Sequence, residues 1–309
     1  MLKTFSLDAG RIVECFDGSG CILVYLNPDE KEKKYLTGTL SVDEHTLSSA
    51  LDPDELARLE FEPEHVALIY KRPKMHSDQR QFFFPVASTG LFLFKQKLVM
   101  VVADDVPIFE GKQFAKVTSL PDVILKLISR ATTRYLDNLK IINQMTEEIE
   151  AKIFSAMENR HLLSLFALEK SLVYYLNAIN SNSMLIDKMK FNASKFGFSQ
   201  DGMEFLDDIT IENSQCYKQA EIYSNILAGL MDARASVVSN NLNVLMKTLN
   251  IITIGIMVPT LVVSVFSMNV RIPLAWHAHA FWLIMTLAAI SVAAFLLIWR
   301  WQHGNHRPS

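Results

Sequence analysis

Acidic residues stop at Asp232, and no Asp or Glu follows it. Of the 33 Asp and Glu and 30 Lys and Arg, residues 1–232 hold every acid and 25 of the bases, a formal charge of −8. Arg234, Lys247, Arg271, Arg300 and Arg307 give the remainder +5. This asymmetry argues against a nucleic-acid partner and reads as an acidic folded body on a short, basic-edged anchor. Formal charge is missing between Lys247 and Arg271, and again between Arg271 and Arg300. Each interval exceeds the roughly 20 residues that cross a hydrocarbon core of about 30 Å, so two spans are expected back to back in a lipid bilayer. Neither is expected to be a signal peptide, because both are C-terminal and the opening MLKTFSLDAGR lacks an apolar stretch. Cysteine is also scarce. Cys15, Cys21 and Cys216 show no metal-ligand spacing and no evident pairing, as expected of buried, reduced thiols in a cytosolic body. Nucleotide-binding loops, nucleophile triads and catalytic metal motifs are lacking, which points away from an enzyme.

A two-span hairpin puts both termini on one side of the membrane. Four bases flank that side against Arg271 alone in the loop, so both ends are expected in the cytoplasm. The fold class expected is an α/β cytoplasmic domain over residues 1–118, followed by long helices and two C-terminal spans. RIVECF and CILVYLN around DGSG predict a hairpin over 11–27, and SVDEHTLSSALDPDELARLEF has helical spacing interrupted by Pro53. HVALIYK, QFFFPVA, LFLFK and LVMVVA then read as separate strands. From Leu120 Gly and Pro become scarce, and Ser119-Leu-Pro-Asp offers an N-cap with Pro just inside the helix. Long cytoplasmic helices are predicted over 121–157 and 161–190 within a 119–200 segment, with a break at FNASKFGFSQDG. A stalk helix over 201–247 then runs into a first span at 248–270. An outer loop at 271–276, a second span at 277–300 and a tail at 301–309 complete the order. Stalk and first span together would measure about 95 Å at ~1.5 Å per residue, too long for one small domain to cover.

Alternating steps of three and four from Asn243 meet Met246, Asn250, Thr253, Met257, Thr260, Ser264 and Ser267. Every one is polar or a thioether, while the flanking positions are mostly Ile, Val and Leu. Amides and hydroxyls are costly against lipid, so this stripe should face another helix or water. Single Ser or Thr residues commonly permit close helix packing, but Met is a poor residue for that purpose. A water-filled path on the axis of a homo-oligomer fits better, with the second span as the outer helix. No carboxylate lies on the stripe to strip a cation of its water. Neutral oxygens suit an intact hydration shell, and Mg²⁺ is the divalent ion most reluctant to lose one.

Ser267-Met268-Asn269, with Pro259-Thr260 upstream, resembles the Gly-Met-Asn signature of the CorA-type magnesium channels. The order of parts resembles that family along the whole chain, with the sequence-specific part confined to about Gly229–Asn269. The Met positions are apolar enough to gate a path by narrowing and dewetting. The resemblance implies a homopentameric funnel whose first spans line the pore, with Asn269 forming a ring that greets hydrated Mg²⁺. It also implies that Met246, Met257, Thr260 and either Leu249 or Asn250 line the pore. Asp208, and less surely Asp52, fall where the family binds regulatory cytoplasmic Mg²⁺. Two departures stand out. Ser267 replaces the signature glycine, and the loop has Arg271, His277 and His279 where many members carry an acid. A spacing of two points the histidines to different helix faces, so they are expected at the membrane interface rather than in a zinc site. Membrane-potential-driven Mg²⁺ uptake is the leading expectation. Transport of Co²⁺, Ni²⁺ or Zn²⁺ on the same scaffold, or a non-conducting metal sensor, stands as the alternative.

Overall fold

The computed structural model describes residues 1–15, 20–74, 82–105, 107–153, 159–269 and 278–304. The chain divides into two compact units, Met1–Met231 and Asp232–Ser309. The first contains strands β1 (Leu2–Asp8), β2 (Arg11–Cys15), β3 (Ile22–Leu26), β4 (Arg58–Phe61), β5 (His65–Pro73), β6 (Val86–Phe94) and β7 (Leu98–Val102). They form one sheet in the order β2-β1-β3-β7-β6-β5-β4. Only the β3–β7 pair is parallel among these strands. The helices are α1 (Glu30–Gly38), α2 (Glu44–Leu51), α3 (Leu120–Ile153), α4 (Asn159–Phe191), α5 (Ala193–Phe196), α6 (Gln200–Phe266) and α7 (Ala280–Gly304).

Unbroken apolar runs place β3 and β7 at the middle, since all five residues of each are buried. Their alternate side chains serve different layers. Ile22, Val24, Leu98, Met100 and Val102 join a core with Val123, Ile124, Leu127 and Ile128 of α3 and Ile186 of α4. Leu23, Tyr25, Val99 and Val101 join Leu36 of α1 and Leu47 and Ala50 of α2 on the other face. The result is a sheet covered by helices on both sides, consistent with the α/β class.

Two strand expectations are corrected. β2 and β3 do not form a hairpin, because β1 lies between them. Instead Asp8 pairs with Arg11, leaving Ala9 and Gly10 as a two-residue turn with φ of 46° and 79°. Positive φ at both central residues is what a type I′ turn requires, and this turn closes a shorter loop than DGSG would. The runs QFFFPVA and LFLFK are not separate strands either. Strand β6 begins only at Val86 and continues through Gly90 to Phe94. A Cβ on Gly90 would sit 2.5 Å from the Cβ of Ala50, so this glycine marks the close approach of α2 to the sheet rather than a break.

The helical half follows its boundary signals. Ser119 Oγ accepts from the Asp122 N–H at 3.3 Å to start α3. Gly197 at φ 68° ends α5, and Ser199 Oγ accepts from the Gly202 N–H at 3.1 Å to start α6. In the first unit α6 buries Leu206, Ile209, Asn213, Cys216, Ala220 and Leu227, a heptad-spaced seam. Leu162–Phe191 of α4 is long and apolar enough to cross a membrane, but 44% of its most apolar window is buried inside the protein. Its Ser181 accepts from the Ala57 N–H at 2.6 Å. Asn182 bonds both the N–H and the carbonyl of Lys71, at 2.8 and 2.7 Å. A helix that spends its polar groups on sheet backbone is a core helix. The cysteines are free thiols, but only Cys216 is buried, whereas Cys15 and Cys21 are half-buried.

Candidate functional site

In the second unit, the rest of α6 and all of α7 are long and apolar enough to cross a membrane. Trp282 and Trp301 stand near the two ends of α7, 68% and 73% exposed. Nineteen residues separate them, about 28 Å along a helix, which suits aromatic anchors at both faces of a hydrocarbon core. On α6, Ile251, Gly255, Val258, Pro259, Val262 and Phe266 are half-buried, whereas most of their neighbours are exposed. Matching spacing on α7 covers Ile284, Ala288, Ser291, Val292, Phe295 and Trp299. A Cβ on Gly255 would lie 3.9 Å from the Phe295 ring, which places both residues at the contact between the two helices.

The polar stripe lies elsewhere on α6. Asn243, Met246, Asn250, Thr253, Met257, Thr260, Ser264 and Ser267 are all exposed. At about 100° per residue their mean direction is roughly 170° from that of the half-buried set. Thus α7 covers the back of α6 and leaves the stripe uncovered. Leu249, also exposed, lies toward one edge of the stripe and Asn250 toward the other.

Hydroxyl geometry gives the stripe a chemical sense. Thr253 Oγ1 donates to the Leu249 carbonyl at 2.9 Å, and Thr260 Oγ1 to the Ile256 carbonyl at 2.6 Å. Ser267 Oγ donates to the Ser264 carbonyl at 2.9 Å. With each proton committed to the helix, the outward lone pairs remain as acceptors. A hydrated cation presents water hydrogens, so a wall of acceptors matches its outer surface. Helix α6 ends at Phe266, and Met268 and Asn269 follow it exposed. The expected loop 271–276, with Arg271, and His277 lie outside the described residues. His279 is exposed just before α7 and its carbonyl accepts from the Leu283 N–H.

The two expected sensing acids stand on separate elements of the first unit. Asp208 is exposed on α6, next to Asp207, which pairs with Lys190 at 2.7 Å. Asp52 is exposed at the end of α2 and accepts from the Asp54 N–H at 2.9 Å. Among the described residues of one chain, no group of three His, Cys, Asp or Glu could hold a metal. One residue of this region was not singled out from sequence. Lys71 is 4% exposed, and its ammonium donates to the carbonyls of Pro53 and Glu55 at 2.6 and 2.5 Å and to Ser88 Oγ at 3.0 Å. Burial lowers its pKa. A resident cation thereby fastens the segment that follows Asp52, and its signal in the sequence was a lysine inside the apolar run HVALIYK.

Residues 17–300 match the family model described as CorA-like Mg²⁺ transporter protein. Among characterised proteins, the cobalt/magnesium transport protein CorA of Methanocaldococcus jannaschii is 23% identical over 301 residues, covering 93% of this chain and 89% of that protein. The complete structure of the CorA magnesium transporter from the same organism superposes with a TM-score of 0.79 at 19% identity, covering 97% of this chain and 96% of the other. The full-length CmaX protein superposes with a TM-score of 0.70 at 14% identity, covering 96% and 95%.

Proposed function

The chain belongs to the family of CorA-like Mg²⁺ transporter proteins, and on that premise we propose that it is a Mg²⁺ channel built as a homopentamer. Divalent-cation transport is the coarse function that membership supports. The finer reading rests above all on the uncovered acceptor stripe opposite α7. One helix cannot enclose a path, so copies of α6 turn their stripes to a shared axis and α7 faces lipid. Asn269 carbonyls at the outer mouth hold the ion through its water. Thr260, Thr253 and Asn250 then accept from that same shell, so the ion need not be stripped. Met257 and Met246 form apolar constrictions that close by narrowing and dewetting.

Both termini lie in the cytoplasm by the charge bias, so an interior-negative potential drives Mg²⁺ inward. A double charge gains about 4.6 kcal/mol per 100 mV, twice the ~2.3 for a single charge. Because the described residues of one chain bring no three such ligands together, sensing by Asp208 and Asp52 would use sites completed by water or by a neighbouring copy. Lys71 sets the backbone from which Asp52 would act.

The test is Mg²⁺ uptake by the purified protein in liposomes carrying an interior-negative potential. Uptake that follows the potential and falls at least tenfold in Asn269→Ala supports the assignment. Uptake unchanged in that variant removes the Asn269 ring from the mechanism. A second reading, Co²⁺ as a further cargo, is favoured by the cobalt/magnesium name of the archaeal relative and by three thioethers at Met246, Met257 and Met268. Competition between Co²⁺ and Mg²⁺ in the same liposomes decides it.

A further inference from the structure

Three guanidinium groups of the first unit line one small cavity. Arg72 of β5 and Arg130 and Arg134 of α3 form its polar wall, Tyr70 and Ile108 help to complete it, and its volume is ≈ 20 Å³. Tyr70 and Arg72 are only 2% and 5% exposed. Arg72 is well bonded: Nε donates to Thr89 Oγ1 at 3.0 Å, and both terminal nitrogens reach the Asp104 carboxylate. Arg130 donates to the Ile108 carbonyl and lies 5.8 Å from the centroid of the Phe114 ring. Arg134 makes no hydrogen bond or ion pair among the described residues.

The charges do not balance. Asp104 is the one carboxylate bonded to any of these three cations among the described residues, and the exposed Glu110 acts on Arg130 only through space. Arg130 and Arg134 are half-buried, and like charges held this close repel unless solvent or a counter-ion offsets them. The effect registers on Arg130, whose pKa is pushed down to about 10, first by burial and then by Arg134. A water molecule could fill the space, which holds roughly one water-sized sphere, but it could not neutralise the excess.

We propose that this cavity binds a halide-sized inorganic anion, chloride under ordinary conditions, which Arg130 and Arg134 hold against Arg72. The ion cross-links α3 to β5 and offsets one of the two excess positive charges of the sheet–helix junction. Guanidinium donors give it charge-assisted hydrogen bonds, and Arg134 has donors uncommitted to any other described group.

The experiment is thermal unfolding of the full-length protein in detergent, in Mg²⁺-free buffer at constant ionic strength, with chloride or bromide exchanged for gluconate. The wild-type midpoint should rise with the logarithm of chloride concentration once the site begins to fill, and bromide should replace chloride. Arg134→Met should lose that response. In gluconate it should be at least as stable as wild type, because one uncompensated charge is gone. A wild-type midpoint indifferent to halide overturns the proposal, as does a chloride response retained in Arg134→Met. Equal destabilisation of Arg134→Met in chloride and in gluconate assigns Arg134 to packing and also overturns it, as does stabilisation by phosphate but not by chloride. Crystals of the wild-type protein grown at a stabilising bromide concentration should show anomalous density between Arg130 and Arg134. Its absence there overturns the site.

Discussion

Cysteine scanning from Asn250 to Ser267 tests the orientation of α6 directly. Cys15 and Cys21 are half-buried and would be replaced first, whereas Cys216 can stay as an internal standard. Its side chain is fully buried, and burial pushes the thiol from 9.0 up to about 12. A rise of about three units leaves roughly a thousandth of the ordinary thiolate, and thiolate is the species that reacts. Cys216 therefore sets the floor of the measurement. Single cysteines introduced at positions 250, 253, 257, 260, 264 and 267 would meet the proposed water path. Those at 251, 255, 258, 262 and 266 replace residues half-buried on the α7 side. Labelling with a small cationic thiosulfonate, in liposomes at low Mg²⁺, should give rates on the stripe about 100-fold or more above those on the back, since only the stripe offers aqueous thiolate. The maxima should recur every 3.5 residues. Maxima at 251, 255, 258 and 262, or rates without periodicity, would refute the orientation and the proposed path with it.

Gly90→Ala places a methyl 2.5 Å from the Cβ of Ala50, so α2 must shift. The expected loss is about 1–3 kcal/mol, seen as a lower denaturation midpoint, with partial recovery on adding Ala50→Gly; a neutral Gly90→Ala refutes the close approach. His65 is 4% exposed beside Phe92 and Phe94, both ring nitrogens lack hydrogen-bond partners among the described residues, and burial lowers its pKa. The unfolded chain, titrating near 6.5, therefore binds a proton that the native protein resists. Stability should fall as pH drops below about 6.5 and be flat for this group above it. His65→Phe should flatten the curve in that window, and an unchanged slope assigns it to other groups. On the proposed sensing role, Asp208→Ala should raise the Mg²⁺ concentration that inhibits uptake by about fivefold or more. An unaltered dependence removes Asp208 from sensing.

The long helices, and the two C-terminal ones apolar enough to cross a membrane, were legible because their signals are local. Charge stops at Lys247 and resumes at Arg271, Ser119 and Ser199 cap helices, and Gly197 breaks one. The stripe was legible for the same reason: helical period fixes which residues share a face, and what lay beyond sequence was which face α7 would cover. The order of the sheet was not legible. β1 inserts between β2 and β3 through a turn whose identity rests on the backbone angles of Ala9 and Gly10. Gly90 answers to Ala50, 40 positions away in the chain. The arginine cavity was invisible for a similar reason, since Arg72 meets Arg130 and Arg134 only after β5 docks on α3. Asp52 and Asp208 were named by family likeness alone, and nothing local to either residue marks it as a ligand.

The stripe on α6 contains amides, hydroxyls and thioethers and no group that titrates between pH 5 and 8. An ion moving along such a surface meets the same wall in an acidified compartment as in a neutral one. Protons cannot compete with it for ligands there, nor can a proton hop along the lining from one ionisable side chain to the next. On the proposed path, any acid sensitivity of transport must then originate away from the stripe, in titratable groups of the first unit or beside Asn269. The same neutrality removes the charge that would attract a cation from a distance, so on the proposed path the membrane potential and the fit of the hydration shell would do the work of entry.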